Sequence, residues 1–251
     1  MAKYARFEKD GEVHHGVVEG DTIKLLEGSY LDGINLTSEE VKLDEVKLLS
    51  PVEPSKVICV GLNYADHAKE SGYEVPDEPC LFMKPSTSVI GPDEFVICPP
   101  MSKRVDYEAE LGVVIRSTTY NISPEEADEH ILGYTCLNDV TARDLQAKDG
   151  QWTRSKSFNT FCPIGPWVVD GIDPNSLQIE MYVNGERKQF SNTDQLIFNV
   201  QELVSFISRV MTLNAGDVIG TGTPAGIGPV KPGDVMEVRI EKIGTLRNPV
   251  R

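Results

Sequence analysis

The sequence predicts an α+β fold that is mostly β, with a small unit ahead of a larger one. Short segments rich in apolar and β-branched residues recur along the chain with turn residues between them, the pattern of many brief strands. Helical periodicity is confined to a few stretches. A joint at Pro51-Val52-Glu53-Pro54 separates an opening segment of different character from the rest, because each proline fixes its own backbone and biases the residue before it toward extended forms. The boundary is placed near residue 52, giving a small N-terminal domain over 1–52 and a larger domain over 53–251.

Ahead of the joint, Tyr4-Ala5-Arg6-Phe7 and Gly16-Val17-Val18-Glu19 read as strands on either side of the turn Lys9-Asp10-Gly11-Glu12. Residues 38–49 are richer in Glu and Lys. Beyond the joint, strands are expected over Lys56–Val60, Glu94–Cys98, Tyr107–Ile115, Pro166–Val169, Gln178–Val183, Val218–Thr221 and Val235–Ile240. The alternating run Ile179-Glu180-Met181-Tyr182-Val183 leads into Asn184-Gly185, a strong hairpin signal. Gly216-Asp217-Val218 and Gly233-Asp234-Val235 repeat one turn-into-strand device. Helices are expected at Pro124–His130, with Ser123 as N-cap and Glu126 at the capping-box position, and at Val200–Met211, where Leu203, Phe206, Ile207 and Val210 form an apolar stripe.

The chain has 251 residues, enough for a substantial apolar core. Hydrophobic residues at 40% and charged residues at 25% fit a soluble globular protein. No apolar run approaches the roughly 18 residues a membrane span needs, and the N-terminus is charged at once, without the apolar stretch of a signal peptide. A cytoplasmic protein is the expectation. The net charge of −15 argues against nucleic acid and anionic membrane surfaces as partners. It leaves an anionic substrate open, since a local cation can dominate the field inside one cleft. Five cysteines, an odd number with no CxxC pair, argue against a disulfide framework or a thiolate zinc site. Most sit among apolar neighbours and read as small core residues.

The most informative segment is Asp106-Tyr107-Glu108-Ala109-Glu110-Leu111-Gly112. On a strand, residues two apart share a face, so Glu108 and Glu110 point the same way. In water this costs little; against an apolar core it requires a cation. By itself the pair also fits a solvated edge strand. A further acid, Asp139, closes the apolar and small-residue run Gly133-Tyr134-Thr135-Cys136-Leu137-Asn138, and Thr141-Ala142-Arg143-Asp144-Leu145 follows as the opening of a helical turn. Asp139 alone fits a helix cap. Glu108, Glu110 and Asp139 together, without His or Cys, would make a hard oxygen site suited to Mg²⁺, Mn²⁺ or Ca²⁺ rather than Zn²⁺.

If the chain is helical from about Tyr64, His67 and Glu70 lie on one face, and a carboxylate beside an imidazole makes a general base. The same pair fits a solvated helix surface. His14, His15 and His130 lack such a setting and read as surface residues. Lys156, among small and aromatic residues, suits an anion or developing enolate; the commoner alternative is a Lys that snorkels to the surface. The run Gly220-Thr221-Gly222-Thr223-Pro224-Ala225-Gly226 lacks the Lys-Ser/Thr end of a P-loop and fails the dinucleotide fingerprint. It reads as a strand ending in a loop whose N–H groups and Thr223 hydroxyl can hold a carboxylate, or as a plain turn.

In order, Gly61-Leu62-Asn63-Tyr64-Ala65-Asp66-His67, Phe82-Met83-Lys84-Pro85-Ser86, Tyr107-Glu108-Ala109-Glu110-Leu111-Gly112, Asn138-Asp139-Val140-Thr141-Ala142-Arg143-Asp144, Lys156-Ser157-Phe158 and Thr221-Gly222-Thr223-Pro224 resemble the fumarylacetoacetate hydrolase family in its small single-subunit branch. The resemblance covers roughly residues 55–251. It implies a mixed β-sandwich roll with a small N-terminal domain, in a homodimer. It implies Mg²⁺ or Mn²⁺ on Glu108, Glu110 and Asp139, catalytic roles for His67, Glu70 and Lys156, and substrate-side positions at Gln146, Arg143, Thr223 and Lys84. Leu62 matches a position that is Leu or Arg in the family.

The activity implied is that of a divalent-metal-dependent hydrolase cleaving a C–C bond in acylpyruvate-type 2,4-dioxo acids through an enolate stabilised by the cation. Oxaloacetate decarboxylation and isomerisation of a hydroxy-dienedioate need the same enolate and stand as alternatives. A module that binds metal and keto acid without turnover is a further one.

Overall fold

The computed structural model describes residues 1–65 and 76–251. The opening segment is a meander. Strands β1 (Ala2–Lys9) and β2 (Glu12–Glu19) turn at Asp10 and Gly11, both with positive φ, as a tight two-residue hairpin requires. Strands β3 (Thr22–Leu26), β4 (Leu36–Lys42) and β5 (Lys47–Leu48) follow. Ala5, Phe7, Val18, Ile23, Leu25 and Val41 form a small core between them. Along β4 only Val41 is buried, and charged side chains occupy much of the rest, which blunts an outer edge.

Beyond Pro54 come β6 (Lys56–Gly61), β7 (Cys80–Pro85), β8 (Val89–Ile90), β9 (Val105–Tyr107), β10 (Ala109–Ile115), β11 (Ile131–Asn138), β12 (Thr141–Ala142) and β13 (Cys162–Asp170). The last group is β14 (Gln178–Val183), β15 (Glu186–Asn192), β16 (Val218–Gly220), β17 (Gly228–Val230), β18 (Val235–Ile240) and β19 (Gly244–Pro249). Among the described residues the helices are short: α1 (Arg143–Asp149), α2 (Thr153–Lys156) and α3 (Val200–Val210). Asn199 caps α3 in a box with Glu202, and Ser123 pairs with Glu126 in the same way ahead of a 3₁₀ stretch, Pro124–His130.

Three sheets result. The main one runs β4-β3-β2-β1-β13-β11-β10-β16-β6-β7, with β5 on β1 and β8 on β13; it is antiparallel except for β16 with β6 and β13 with β8. The opening meander is therefore joined to the rest through the β1–β13 pairing. A three-stranded sheet, β12-β9-β17, and a four-stranded one, β15-β14-β18-β19, complete the fold. Strands β10 and β11 are buried at every residue because both faces are covered. Alternate residues of β6 divide accordingly. Ile58 and Val60 pack with Leu111, Met181 and Val238 on one side, while Val57 and Cys59 pack with Leu137 and Ile164 on the other. The mostly β, mixed-sheet architecture matches the sequence expectation.

Two expected strands need correction. Glu94–Cys98 is not a strand. Its backbone bonds go to the last residues of the chain, Val96 with Pro249 and Arg251 and Cys98 with Arg251, and prolines at 92, 99 and 100 prevent extension. Tyr107–Ile115 is not continuous: it breaks at Glu108 into β9 and β10. His15 is also not a free surface residue, since it packs edge-on against Tyr30 at 4.7 Å.

A candidate metal centre at a sheet corner

The break at Glu108 positions the site. Strands β10 and β11 pair in the main sheet up to Ala109 and Asn138; past that point β9 and β12 pair in the three-stranded sheet, Asp106 opposite Thr141. Both chains thus turn a corner together, at Glu108 on one and Asp139-Val140 on the other. The corner is tied by backbone: Asp139 N–H donates to Glu108 O at 2.9 Å, and Glu108 N–H donates to Asn138 Oδ1 at 3.0 Å. Glu110 lies two residues into β10, and its Oε2 accepts from Gly222 N–H at 3.1 Å. Gly220 opposes it for a reason of space, because a Cβ there would stand 2.5 Å from Glu110 Oε2.

The carboxylates of Glu108, Glu110 and Asp139 converge, with one oxygen of each within 4.8 Å of the others, and all three residues are buried. Cations surround two of them. Lys156 Nζ reaches Glu108 Oε2 at 2.8 Å and Asp139 Oδ2 at 2.5 Å; Lys84 Nζ reaches Asp139 Oδ1 at 2.5 Å; Arg143 pairs with Glu108 and with Asp106. Burial disfavours an ionised Glu108, but Lys156 and Arg143 outweigh it and hold its carboxyl far below the usual range. Burial likewise disfavours a charged Lys156, and Asp139 and Glu108 overcome it and keep the ammonium protonated. Glu110 meets the opposite fate: burial, then the Asp139 and Glu108 carboxylates, push its pKa well above the carboxylate range.

These residues fit a divalent cation. The donor set is all carboxylate, buried and convergent, and among the described residues no Lys or Arg pairs with Glu110, whose hydrogen-bond partner is Gly222 N–H. Asp139, Glu108 and Glu110 line a cavity of about 350 Å³ together with Lys156, Arg143, Gln146 and Thr223. Arg143 and Gln146 share a face of α1, Nη1 donating to Oε1 at 2.5 Å. Phe82 and Trp152 build an aromatic wall, edge to face at 5.2 Å, and Gly61 leaves room for the indole. Lys156 Nζ lies 4.8 Å over the Phe82 ring. Leu62, with φ of 58°, stands at the cavity in the left-handed region that a leucine rarely adopts.

The structure brings Glu108, Glu110, Asp139, Lys156, Arg143, Gln146 and Thr223 to one cavity. Lys84 is different. It is fully buried behind Asp139, bonded to that carboxylate and to Val140 O at 3.1 Å, and it does not line the cavity. Expected on the substrate side, it is placed by the structure against Asp139 instead of among the cavity-lining residues. His67 and Glu70 lie outside the described residues. Sequence reasoning missed Asn138 and Gln189, whose buried side-chain amides hold backbone at the corner. It also missed Asn63, which bonds Thr221 O at 2.8 Å and both polar groups of Phe198. Asn63 and Asn138 stand in motifs that carry the resemblance, which assigns them no role, and nothing in the local sequence marks Gln189.

Residues 56–251 match the family described as fumarylacetoacetate (FAA) hydrolase C-terminal, and residues 2–51 match one described as Rv2993c-like, N-terminal. A protein of Archaeoglobus fulgidus is 58% identical over 243 residues, 97% of this chain and 94% of that protein. The mitochondrial oxaloacetate tautomerase of Xenopus laevis is 45% identical over 218 residues, 82% of this chain and 68% of that protein. The crystal structure of a 2-hydroxyhepta-2,4-diene-1,7-dioate isomerase from Mycobacterium marinum superposes with a TM-score of 0.93 at 40% identity, covering 100% of this chain and 98% of that one. Six motifs in order, a corner with a buried triad of acids and a match across the main body of the chain have one explanation: the protein belongs to the fumarylacetoacetate hydrolase family.

Proposed function

We propose that the protein is a divalent-cation-dependent enzyme acting on a small 2-oxo acid, and that its reaction is hydrolytic cleavage of a C–C bond in an acylpyruvate-type 2,4-dioxo acid. The observation that carries this reading is the convergence of three buried carboxylates beside a buried, charged lysine at one cavity. Glu108, Glu110 and Asp139 would hold Mg²⁺ or Mn²⁺, which when bound supplies Lewis acidity toward the carboxylate and keto oxygens of the substrate. Lys156 places a fixed positive charge where an enolate oxygen develops. The three carboxylates and the two cations that line the cavity with them, Lys156 and Arg143, leave it one negative charge in formal terms. An added dication makes the cavity net positive, which suits a substrate carrying carboxylates.

Arg143, Gln146 and Thr223 orient that substrate, and Phe82, Trp152 and Ile227 give its chain an apolar wall. His67, aided by Glu70, takes a proton from water as the oxygen adds to the distal carbonyl. The C–C bond then breaks, its electrons forming the pyruvate enolate, which is protonated to release pyruvate and a carboxylic acid. A homodimer is part of the same proposal; Met83, Phe95, Ile97 and Met101 are among the exposed apolar side chains available to an interface.

A second reading, enol–keto tautomerisation or isomerisation, is favoured by the names of the Xenopus and M. marinum relatives. It needs proton movement on the enolate and no attacking water. The deciding experiment compares acetylpyruvate, fumarylpyruvate, oxaloacetate and a hydroxy-dienedioate with Mg²⁺ and Mn²⁺, in the wild type and in His67→Ala. Metal-dependent acylpyruvate cleavage, lost in His67→Ala with Mn²⁺ binding intact, is expected. Turnover of oxaloacetate or the dienedioate alone would replace hydrolysis with the second reading. Full activity in a Glu108→Gln, Glu110→Gln variant would end both.

A further inference from the structure

We propose that Gln189 is a positioning residue that fixes the direction of the Thr223 hydroxyl, so that Thr223 presents its proton to a ligand and favours an anionic oxygen. This rests on the reading above, in which Thr223 faces the substrate. Gln189 belongs to β15, in the four-stranded sheet, where its neighbours Lys188 and Phe190 are exposed and it alone is buried, at 1% exposure. A buried amide must place its donors and acceptor. Gln189 Oε1 accepts from Ala109 N–H at 3.0 Å, and Nε2 donates to Thr223 Oγ1 and to Pro224 O, both at 2.8 Å.

The backbone determines which end of the amide is which. Ala109 N–H can only donate and Pro224 O can only accept, so the NH₂ must face Thr223. Thr223 Oγ1 therefore accepts, and its own proton is directed elsewhere. Among the described residues Thr223 Oγ1 has no second partner, and the residue lines the cavity at 4% exposure. A proton left there unpaired is costly, and a ligand oxygen is what satisfies it. A carboxylate oxygen takes that proton directly, whereas a donor group on the ligand leaves it unpaired and finds only the remaining lone pair.

The same amide joins two parts of the site. Ala109 is next to Glu108, and Thr223-Pro224 is the loop after β16. The loop lies directly on β15 further along as well: Gly226, with φ of 97°, has Lys188 O only 2.4 Å from where a Cβ would sit. Gln189 thus spans from the strand of acids to the ligand-facing loop.

The test is calorimetric binding of oxalate to Mn²⁺-loaded protein in the wild type, Gln189→Met, Thr223→Val and the double variant. Each single change should weaken oxalate about tenfold, the loss of one charge-assisted hydrogen bond. The double variant should bind no worse than Thr223→Val, because Gln189 acts through that hydroxyl. Mn²⁺ affinity should not change, and Thr223→Ser should restore oxalate binding. Wild-type affinity in Gln189→Met, losses that multiply in the double variant, or loss of Mn²⁺ binding with Gln189→Met would each overturn the proposal. Gln189→Leu serves as the second variant should the Met form fail to fold. A wild type that takes Mn²⁺ but no oxalate would instead bring down the reading of the cavity itself.

Discussion

Replacing Gly220 by Ala separates metal binding from stability, because the first should fall while the second changes little. Gly220 is the last residue of β16, paired with Gly112 on β10 and Cys59 on β6, and its φ is not in the left-handed region. An Ala is compatible with such a backbone, and the gain of about 0.5–1 kcal/mol from removing a strand glycine offsets part of what the displaced carboxylate costs. The added Cβ would meet Glu110 Oε2 at 2.5 Å and Cys59 Sγ at 3.1 Å, where ordinary contact begins at 3.4 Å. The carboxylate is the softer neighbour and must retreat by close to 1 Å, about twice the roughly 0.5 Å tolerance of a functional site. Its bond to Gly222 N–H, already 3.1 Å, would be lost with it. A displaced ligand of this kind should lower Mn²⁺ affinity by about 10- to 100-fold. Mn²⁺ affinity read from the electron paramagnetic resonance of free ion, with a melt in chelator alongside, gives both quantities. Wild-type Mn²⁺ affinity in Gly220→Ala would refute the placement of Glu110 as a ligand. A loss of metal-free stability beyond about 2 kcal/mol would show that the residue serves packing instead.

Two further outcomes follow from buried groups. Lys84→Met strips Asp139 of one of its two ammonium partners, and since Lys156 remains, the cost should be near the low end of the roughly 3–5 kcal/mol for breaking a buried pair. For a chain of this size that is a fall in Tm of about 6–12 °C by calorimetry, part of it recovered by Mn²⁺; a shift under about 2 °C would refute the role. His15 is kept neutral in the fold by burial first and by Arg6 second, so its pKa lies below the ordinary 6.5. The unfolded chain then takes up the proton first as pH falls: His15 contributes stability above about 6.5 that is lost below it, until the folded pKa is passed. Urea midpoints between neutrality and about pH 5 should fall less steeply in His15→Phe; an unchanged slope would contradict this.

The acids were legible because spacing sets facing. Glu108 and Glu110 are two apart, and an apolar run ends at Asp139, so charge next to buried sequence was visible without coordinates. Asn184-Gly185 was legible because its backbone needs positive φ at both positions, 52° and 78° here. The break at Glu108 was not, since it is made by Asn138 Oδ1 capturing a backbone N–H from another strand. Nor was the burial of Lys84. A motif tells that a lysine is near the site, whereas only packing tells whether it faces the cavity or the back of Asp139. Gln189 lies in a charged stretch, Glu186-Arg187-Lys188, whose pattern says solvent, and its burial follows from the loop laid over it.

The corner also explains how this architecture separates metal from substrate. Glu108 and Asp139 are tied by one backbone hydrogen bond where two paired strands leave one sheet for another, and Glu110 is held by a backbone N–H. Their positions are thus inherited from strand pairing, which tolerates side-chain change elsewhere. The cavity walls have other origins: Leu62 follows β6, Phe82 lies on β7, Trp152 precedes α2 and Ile227 precedes β17. None of the four bonds to the carboxylates through a side chain, so exchanging them alters shape and polarity around the substrate while the triad stays put. On the proposed function, a centre built on backbone and enclosed by independent walls would serve cleavage, tautomerisation or isomerisation as those walls change. Chemistry would then lie with the corner, and the choice of substrate with residues that the corner does not need.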